Sequence, residues 1–218
     1  MTSITSLSIK GCNSDPVPNT FFRQDGETEH AAIVFPGLGY TAQMPLLFYS
    51  RELLLSLKAD VLTVDYDYNG RNFPALDGRE RMRILYADVQ PAYQALMSQR
   101  KYRRITFIGK SLGTRAMGYL LSNESLPSNV KAVWLTPLLK DVKLMAQMKQ
   151  FNGPSLFISG ASDPHYDSES MKEVQEATHG KVLLVEGGDH SLNIKDDIIR
   201  SIRELQRVID DIKVFIAK

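Results

Sequence analysis

The chain has 218 residues, of which 43% are hydrophobic and 23% are charged, a composition that is ordinary for a folded protein and excludes a disordered chain. Its 26 basic residues nearly match its 25 acidic residues, and the resulting net charge of +1 argues against a nucleic-acid-binding surface. Cys12 is the only cysteine, which excludes an internal disulfide and a cysteine-based zinc cluster.

The sequence shows no targeting or linker segment. Residues 1–10 lack the basic and apolar regions of a secretory signal, and no apolar run approaches the ~18 residues that a membrane span requires. We therefore expect a cytoplasmic protein without a membrane span. Because the chain has no internal repeat and only short connections, a single domain over 1–218 is predicted.

The first predicted elements are short strands. Residues 6–10 alternate apolar and polar side chains and predict an edge strand, and Phe21 with Phe22 predicts a second short edge strand. Residues 31–35 are apolar throughout, which is typical of an interior parallel strand covered on both faces. A helix is expected over 46–57, where leucines recur on a shared face.

A second interior strand is predicted over 60–65, followed by a loop over 66–74. The start of this loop imitates a calcium-binding loop through four residues: Asp65, Asp67, Asn69 and Gly70. The twelfth position of such a loop requires a bidentate glutamate, and here it is Leu76. The loop also follows a strand rather than a helix, so we do not expect calcium binding.

The rest of the chain alternates between helices and strands. An amphipathic helix is predicted over 78–100, with a kink at Pro91 in its interior. Beyond residue 121 the pattern predicts strands at 130–135, 155–159 and 181–185, and helices at 141–150, at 168–177 and from 195 onward. Strands separated by helices indicate βαβ units and a mostly parallel sheet.

The central motif joins a strand that begins at Arg104 to a helix through the turn 109–113, Gly-Lys-Ser-Leu-Gly. Ser111 stands at the apex with a glycine two places to either side. Such a strained turn needs glycines there, because side chains would collide where strand and helix pass closely. A phosphate-binding loop is excluded, since it requires a glycine where Arg104 stands.

This nucleophile-elbow pattern resembles that of the α/β-hydrolase superfamily. The resemblance implies an α/β three-layer sandwich, with a mostly parallel central sheet and helices on both faces. Members with a lid often insert it after the strand that here ends at Leu135, where this chain has only a short segment. We therefore expect no cap domain, and the chain looks like a dienelactone-hydrolase-like enzyme or small carboxylesterase.

The resemblance implies a Ser-acid-His triad with Ser111 as the nucleophile. His190 follows the last predicted strand, within the loop 187–191, and is the expected general base. His30 precedes a strand and should lie at the far edge of the sheet from the elbow. His179 stands at a predicted helix C-terminus, where a histidine can cap the last carbonyl groups.

Asp163 follows the strand 155–159 in a segment that resembles the superfamily's acid loop, and it is the expected triad acid. Asp141, after the preceding strand, is the alternative, while Asp189 is expected to point away from the histidine. His165 and Asp167 alternate with Asp163 and could be read as metal ligands. A single loop without a clear fourth ligand makes that reading weak, and we expect no metal and no cofactor.

An oxyanion hole requires two N–H donors. One is expected from Leu112, directly after the nucleophile, and the other, by resemblance, from Leu38 in the loop 36–40. Many members have His-Gly at the start of this loop, whereas this chain has Pro36-Gly37. A simple tight turn remains the alternative reading of this loop.

The predicted reaction is hydrolysis of an ester or thioester through an acyl-enzyme on Ser111. Four residues are expected near the site, either lining an acyl pocket or packed in the core: Tyr40, Tyr66, Asn69 and Trp134. Lys110 and Arg115 flank the nucleophile and either favour an anionic substrate or face solvent.

The expected partner is a small-molecule acyl ester or thioester, with the protein acting as a monomer or homodimer. An open site also suggests an acyl group exposed on a larger molecule. Two alternatives remain at this point: a peptidase or acyltransferase that uses the same triad, and a catalytically silent binding module.

Overall fold

The computed structural model describes residues 1–68 and 73–217. Within these ranges the sheet has eight strands: β1 (Thr2–Thr5), β2 (Asn19–Gln24), β3 (His30–Phe35), β4 (Asp60–Val64), β5 (Arg104–Lys110), β6 (Asn129–Leu135), β7 (Ser155–Gly160) and β8 (Lys181–Val185). The α-helices are α1 (Pro45–Ser56), α2 (Gly78–Met97), α3 (Leu112–Asn123), α4 (Val142–Gln150), α5 (Ser168–Thr178) and α6 (Ile198–Ala217).

The strands lie in the order β1-β2-β4-β3-β5-β6-β7-β8. The pairs β1–β2 and β2–β4 are antiparallel, and every other pair is parallel. Every residue of β3, β4 and β7 is buried, as expected for strands covered on both faces. The predicted mostly parallel sheet is therefore confirmed.

Helices cover both faces of the sheet. The apolar cluster on one face includes side chains of α1 and α6, such as Leu54 and Ile212. The cluster on the other face includes side chains of α2 through α5, such as Val89, Met117 and Met148. These three layers confirm the predicted α/β sandwich, and the chain passes from β6 to α4 without a cap.

Two edge elements differ from the sequence-based expectation. β1 precedes residues 6–10. Within them Leu7 pairs with a side chain, since the Asn19 amide accepts from Leu7 N at 2.8 Å and donates to Leu7 O at 2.9 Å, and Lys10 forms an isolated antiparallel bridge with Pro16. β2 is not an edge strand, because β1 covers its outer side. Pro91 lies inside α2, which runs as one helix from Gly78 to Met97.

The topology creates a crevice at the carboxyl ends of β3 and β5. These neighbouring strands are followed by α1 and α3, which pack on opposite faces, so the chain diverges above them. Ligands of open α/β sheets bind at such a switch point. No helix in the described ranges is both long enough and apolar enough to cross a bilayer.

Candidate active site

Ser111 occupies a sharp turn between β5 and α3. Its backbone has φ 52° and ψ −113°, a conformation that costs energy for a residue with a side chain. The turn is held from both sides, since Ser111 N donates to Leu135 O at 3.0 Å and Thr114 N donates to Ser111 O at 2.9 Å. The surrounding structure thus presents the hydroxyl at the N-terminal end of α3.

The two glycines of the motif are required by close packing. A Cβ on Gly109 would lie 2.5 Å from the carbonyl oxygen of Gly113, and a Cβ on Gly113 would lie 2.1 Å from that of Phe35. Both distances are shorter than any real contact of a Cβ atom, and the obstructing atoms are backbone. The sequence prediction that side chains would collide in this turn agrees with these distances.

Asp163 and His190 form a directly bonded pair. His190 Nδ1 lies 2.7 Å from Asp163 Oδ2, and the backbone N–H of His165 donates to Asp163 Oδ1 at 2.8 Å. Burial alone would raise the pKa of Asp163, but these two hydrogen bonds outweigh it and hold the pKa below its usual value. The carboxylate is therefore ionised at neutral pH, and the Nδ1 atom of His190 carries a proton that it donates.

The loop 186–197 between β8 and α6, here called the histidine loop, lies against the nucleophile elbow. Lys110, which precedes Ser111, donates from Nζ to His190 O at 2.8 Å. In the described part of the chain the Ser111 hydroxyl and the His190 imidazole form no direct hydrogen bond. Such bonds are often long in free enzymes and tighten when substrate binds. The structure thus joins Asp163 to His190 directly, and it places Ser111 next to a residue that contacts the backbone of His190.

The alternative acids serve other contacts. Asp141 accepts from Leu144 N at 3.0 Å, which caps α4, and forms an ion pair with Arg115. Asp189 Oδ1 accepts from the backbone N–H groups of Ser191 and Asn193, which shapes the histidine loop. Neither carboxylate bonds to His190, and Asp163 alone among these three does.

His165 and Asp167, which the sequence offers as weak metal-ligand candidates, make other contacts in the structure. Asp167 accepts from Ser170 N at 2.8 Å and caps α5, while the ring of His165 lies edge-on to that of His190, 5.0 Å away. Burial, together with the neighbouring His190, lowers the pKa of His165. Among the described residues, no group of three His, Cys, Asp or Glu side chains is arranged to hold a metal ion.

The loop 36–40 after β3, here called the glycine loop, passes against Ser111. A Cβ on Gly37 would lie 3.3 Å from Ser111 Cβ, so the loop adjoins the elbow directly. Gly37 N donates to Tyr40 O at 3.1 Å, whereas the N–H groups of Leu38 and Leu112 donate to no other group in the described ranges. Both N–H groups are therefore free to donate to a negatively charged oxygen.

The aromatic candidates occupy different environments. Tyr66 donates to Pro36 O at 2.6 Å and, with Leu38, lines a cavity of about 360 Å³ beside the glycine loop. Tyr40 accepts from Leu46 N at 3.1 Å and lines a second cavity, of about 180 Å³, between the starts of α1 and α6. Asn69 lies outside the described residues.

The structure does not bring Trp134 to either cavity. Its side chain is 0% exposed, stacks parallel to Phe157, and donates to Ser155 Oγ at 3.3 Å. β6 directs this side chain into the core beneath the helices, away from the carboxyl edge of the sheet. Trp134 therefore packs in the core, the second of the two placements that the sequence left open.

The two charged neighbours of the nucleophile also differ from expectation. Lys110 is 1% exposed, and Arg115 forms the ion pair with Asp141, so neither simply faces solvent. The sequence contained one usable signal, since Lys110 ends a strand in which Ile105, Phe107 and Ile108 are apolar. Strand alternation alone does not show that its ammonium group reaches the histidine loop.

An α/β sandwich with a serine elbow and a bonded Asp–His pair at one edge defines a class of proteins, and comparison with known sequences identifies it. A family described as "Alpha/beta hydrolase domain" matches residues 29–217. The chain therefore belongs to the α/β-hydrolase family. No curated protein sequence matches it.

Solved structures share the fold at low sequence identity. An esterase from Pyrococcus furiosus is 13% identical, with a TM-score of 0.75 over 99% of this chain and 91% of its own. Est1E from Butyrivibrio proteoclasticus, solved with ferulic acid bound, is 12% identical with a TM-score of 0.70 over 96% and 99%. The esterase domain of a Rhodothermus marinus protein is 12% identical with a TM-score of 0.67 over 97% and 98%.

Proposed function

We propose that the protein is a serine hydrolase that cleaves a carboxylic ester or thioester through an acyl-enzyme on Ser111. The observation that carries this proposal is the 2.7 Å pair between Asp163 and His190, held beside a serine with φ 52°. A strained, presented serine and an oriented imidazole on one edge are the parts that nucleophilic acyl transfer needs.

In the first half-reaction the Ser111 oxygen attacks the carbonyl carbon while its proton passes to His190 Nε2. The C=O electrons move onto the carbonyl oxygen, and this tetrahedral intermediate collapses as the bond to the leaving alcohol or thiol breaks. Nε2 then returns the proton to the leaving group. Asp163 stabilises the transient imidazolium and holds Nδ1 in its donating form.

In the second half-reaction water repeats the sequence. Its proton passes to Nε2, its oxygen attacks the acyl carbon, and the bond to Ser111 Oγ breaks as Nε2 reprotonates that oxygen. The N–H groups of Leu38 and Leu112 are the proposed donors to the negative oxygen in both halves. Loss of one such donor typically lowers the rate by ~10²–10³-fold.

The surroundings of the pair favour a small acyl substrate. The cavity beside Tyr66 adjoins the proposed oxyanion donor Leu38, so it is the proposed place for the acyl group. The cavity beside Tyr40 is also lined by Ser191, the residue after His190. Because His190 protonates the leaving group, we assign this second cavity to the alcohol or thiol.

Hydrolysis of p-nitrophenyl acetate tests the proposal. Ser111→Ala removes the attacking oxygen, and kcat/KM should fall by about 10³-fold or more while the fold, measured by circular dichroism, stays intact. A fluorophosphonate probe should add its mass to the peptide that contains Ser111. Equal rates for the two proteins would overturn the enzyme proposal and favour a silent binding module.

A second measurement separates the reactions that share this triad. With an added alcohol as competing acceptor, a hydrolase releases mainly the free acid, whereas an acyltransferase forms the new ester. Cleavage of peptide substrates in preference to esters would instead indicate a peptidase.

A further inference from the structure

Lys110 is a buried charge that the proposed chemistry does not use. It ends β5 directly before the nucleophile, and its side chain is 1% exposed. Its Nζ atom donates to His190 O at 2.8 Å and to Thr136 Oγ1 at 3.3 Å, and it lies 4.4 Å from the centre of the Tyr40 ring. The ammonium group therefore has one partner for each of its three N–H bonds.

Each of these partners belongs to a different loop at the carboxyl edge of the sheet. His190 lies in the histidine loop after β8, Thr136 directly follows β6, and Tyr40 lies in the glycine loop that holds Leu38. Burying an ammonium group is costly unless its N–H bonds have partners. The two hydrogen bonds and the contact with the Tyr40 ring together offset that cost. Thr136 itself has φ 42°, which shows that the turn holding its hydroxyl is tightly constrained.

We propose that Lys110 is a positioning residue that ties the histidine loop to the nucleophile elbow. The proposal rests on the serine-hydrolase function above. Asp163 fixes the orientation of the His190 ring, whereas Lys110 fixes the place of the His190 backbone. Both are needed for Nε2 to come within reach of the Ser111 hydroxyl when substrate binds.

This arrangement responds to pH. Burial lowers the pKa of Lys110 to about 8, although the negative charges of Asp163 and Asp189 oppose the change. Below that pH the ammonium keeps three donors and its attraction to the Tyr40 ring. Above it the neutral amine loses a donor and that attraction, so activity should decline on the alkaline side. The titratable groups around it are Tyr40, Asp163, His165, Asp189 and His190.

Two substitutions at Lys110 test the positioning role. Lys110→Met fills the same space without donors and should lower kcat by ~10²-fold, since small misplacements of reacting groups cost about that much. KM should stay within about threefold, because Lys110 itself lines neither cavity. Lys110→Gln restores one donor to His190 O and should recover part of the rate, and neither variant should show the alkaline decline.

Thr136→Val tests the same contact without changing Lys110. It removes one acceptor from the ammonium group, which disfavours the charged form, so the alkaline decline should move to lower pH. A purely structural role for Lys110 would leave the pH profile of this variant where it is in the unchanged protein.

Lys131→Met is the matched control. Lys131 also donates its ammonium to backbone carbonyl groups, those of Phe215 and Ile216 at the end of α6, but it lies on β6 away from the site. Its substitution should change thermal stability and leave kcat and the pH profile unchanged. If Lys110→Met behaves like Lys131→Met in both kcat and pH profile, the proposal is overturned.

Hydrogen exchange provides a readout that does not depend on activity. In Lys110→Met the amides of residues 186–197 should exchange faster than in the unchanged protein, while those of β3 and β5 should not. Unchanged exchange in this loop would overturn the proposal even if activity fell. If the unchanged protein hydrolyses no ester, the function proposed above fails, but faster exchange would still establish the tie between the two loops.

Discussion

Gly113 lets α3 pack closely against the end of β3, because it has no Cβ atom. A Cβ at this position would lie 2.1 Å from Phe35 O and 2.8 Å from Pro36 O, and neither backbone can yield without moving β3 or α3. We therefore expect Gly113→Ala to destabilise the protein by about 1–3 kcal/mol, the usual cost of overpacking. Because the chain has more than 150 residues, thermal melting should shift down by roughly 2–4 °C for each kcal/mol.

Gly78→Ala is the matched control for this substitution. Gly78 also lies in the first turn of a helix, but nothing stands within 4 Å of its Cβ position. Alanine has the higher helix propensity, so the control should be neutral or stabilising by up to ~1 kcal/mol. Equal destabilisation by both substitutions would contradict the packing account of the elbow.

The proposed role of Asp163 as the triad acid is also tested at the residue scale. Asp163→Asn removes the negative charge that holds His190 Nδ1 in its donating form, so kcat for ester hydrolysis should fall by about 10³–10⁴-fold. Asp141→Asn should leave kcat within a few-fold, because Asp141 caps α4 and bonds to Arg115. The reverse pattern in the two measured rates would assign the acid role to Asp141.

For single residues, the sequence predicts the candidate site where a motif identifies the side chain. It does not predict how deeply a side chain is buried. Ser111, Asp163 and His190 follow three strands at a common edge, and topology brings the last two within hydrogen-bond distance. The core position of Trp134 and the buried ammonium of Lys110 depend on which helices cover each strand. That information lies in contacts between distant segments, which local patterns do not contain.

The start of α4 is an element whose stability depends on one carboxylate. Asp141 accepts the Leu144 N–H and pairs with Arg115 on α3, so it joins two helices behind the elbow. Asp141→Ala should cost about 1 kcal/mol through loss of the cap, and it also leaves the partly buried Arg115 guanidinium without its carboxylate partner. Asp141→Asn keeps the capping acceptor but loses the ion pair. Its midpoint in urea unfolding should therefore lie between those of the unchanged protein and Asp141→Ala.

Interior elements were predicted more closely than edge elements. The bounds of β3 and β4 fall within one residue of the predicted ranges, because burial on both faces leaves a continuous apolar run. β1 was misplaced because the side chain of Asn19 bonds to the backbone of Leu7 and replaces a strand partner there. A side chain twelve residues away gives no signal in the periodicity of 6–10.

At the scale of the whole molecule, the carboxyl and amino ends of the parallel strands hold different kinds of residues. The carboxyl edge holds Ser111, Asp163 and His190, whereas the opposite edge holds buried polar groups that join strands. Asp60 accepts from Tyr102 Oη at 2.7 Å and from Gln24 N at 2.7 Å, and His30 Nε2 lies 3.0 Å from Thr106 Oγ1. Substitutions at this second edge should therefore change stability without changing catalysis.

His30 provides the sharpest test of that division. Its side chain is 2% exposed and its Nδ1 atom has no partner among the described residues, so a second proton would be buried without an acceptor. Burial accordingly lowers the pKa of His30 from 6.5 to about 4. Between these two values the unfolded chain binds more protons than the folded one, so stability rises with pH across this window and is fully present above pH 6.5.

We expect the unchanged protein to lose up to about 3 kcal/mol more than His30→Gln on going from pH 7 to pH 4, as measured by urea unfolding. Glutamine keeps a donor for Thr106 and does not titrate, so kcat at pH 7 should stay unchanged. His179→Gln, at an exposed histidine, should keep the pH dependence of the unchanged protein. Parallel stability curves for His30→Gln and the unchanged protein would show that acid unfolding begins elsewhere, and a fall in kcat would show that the two edges are coupled.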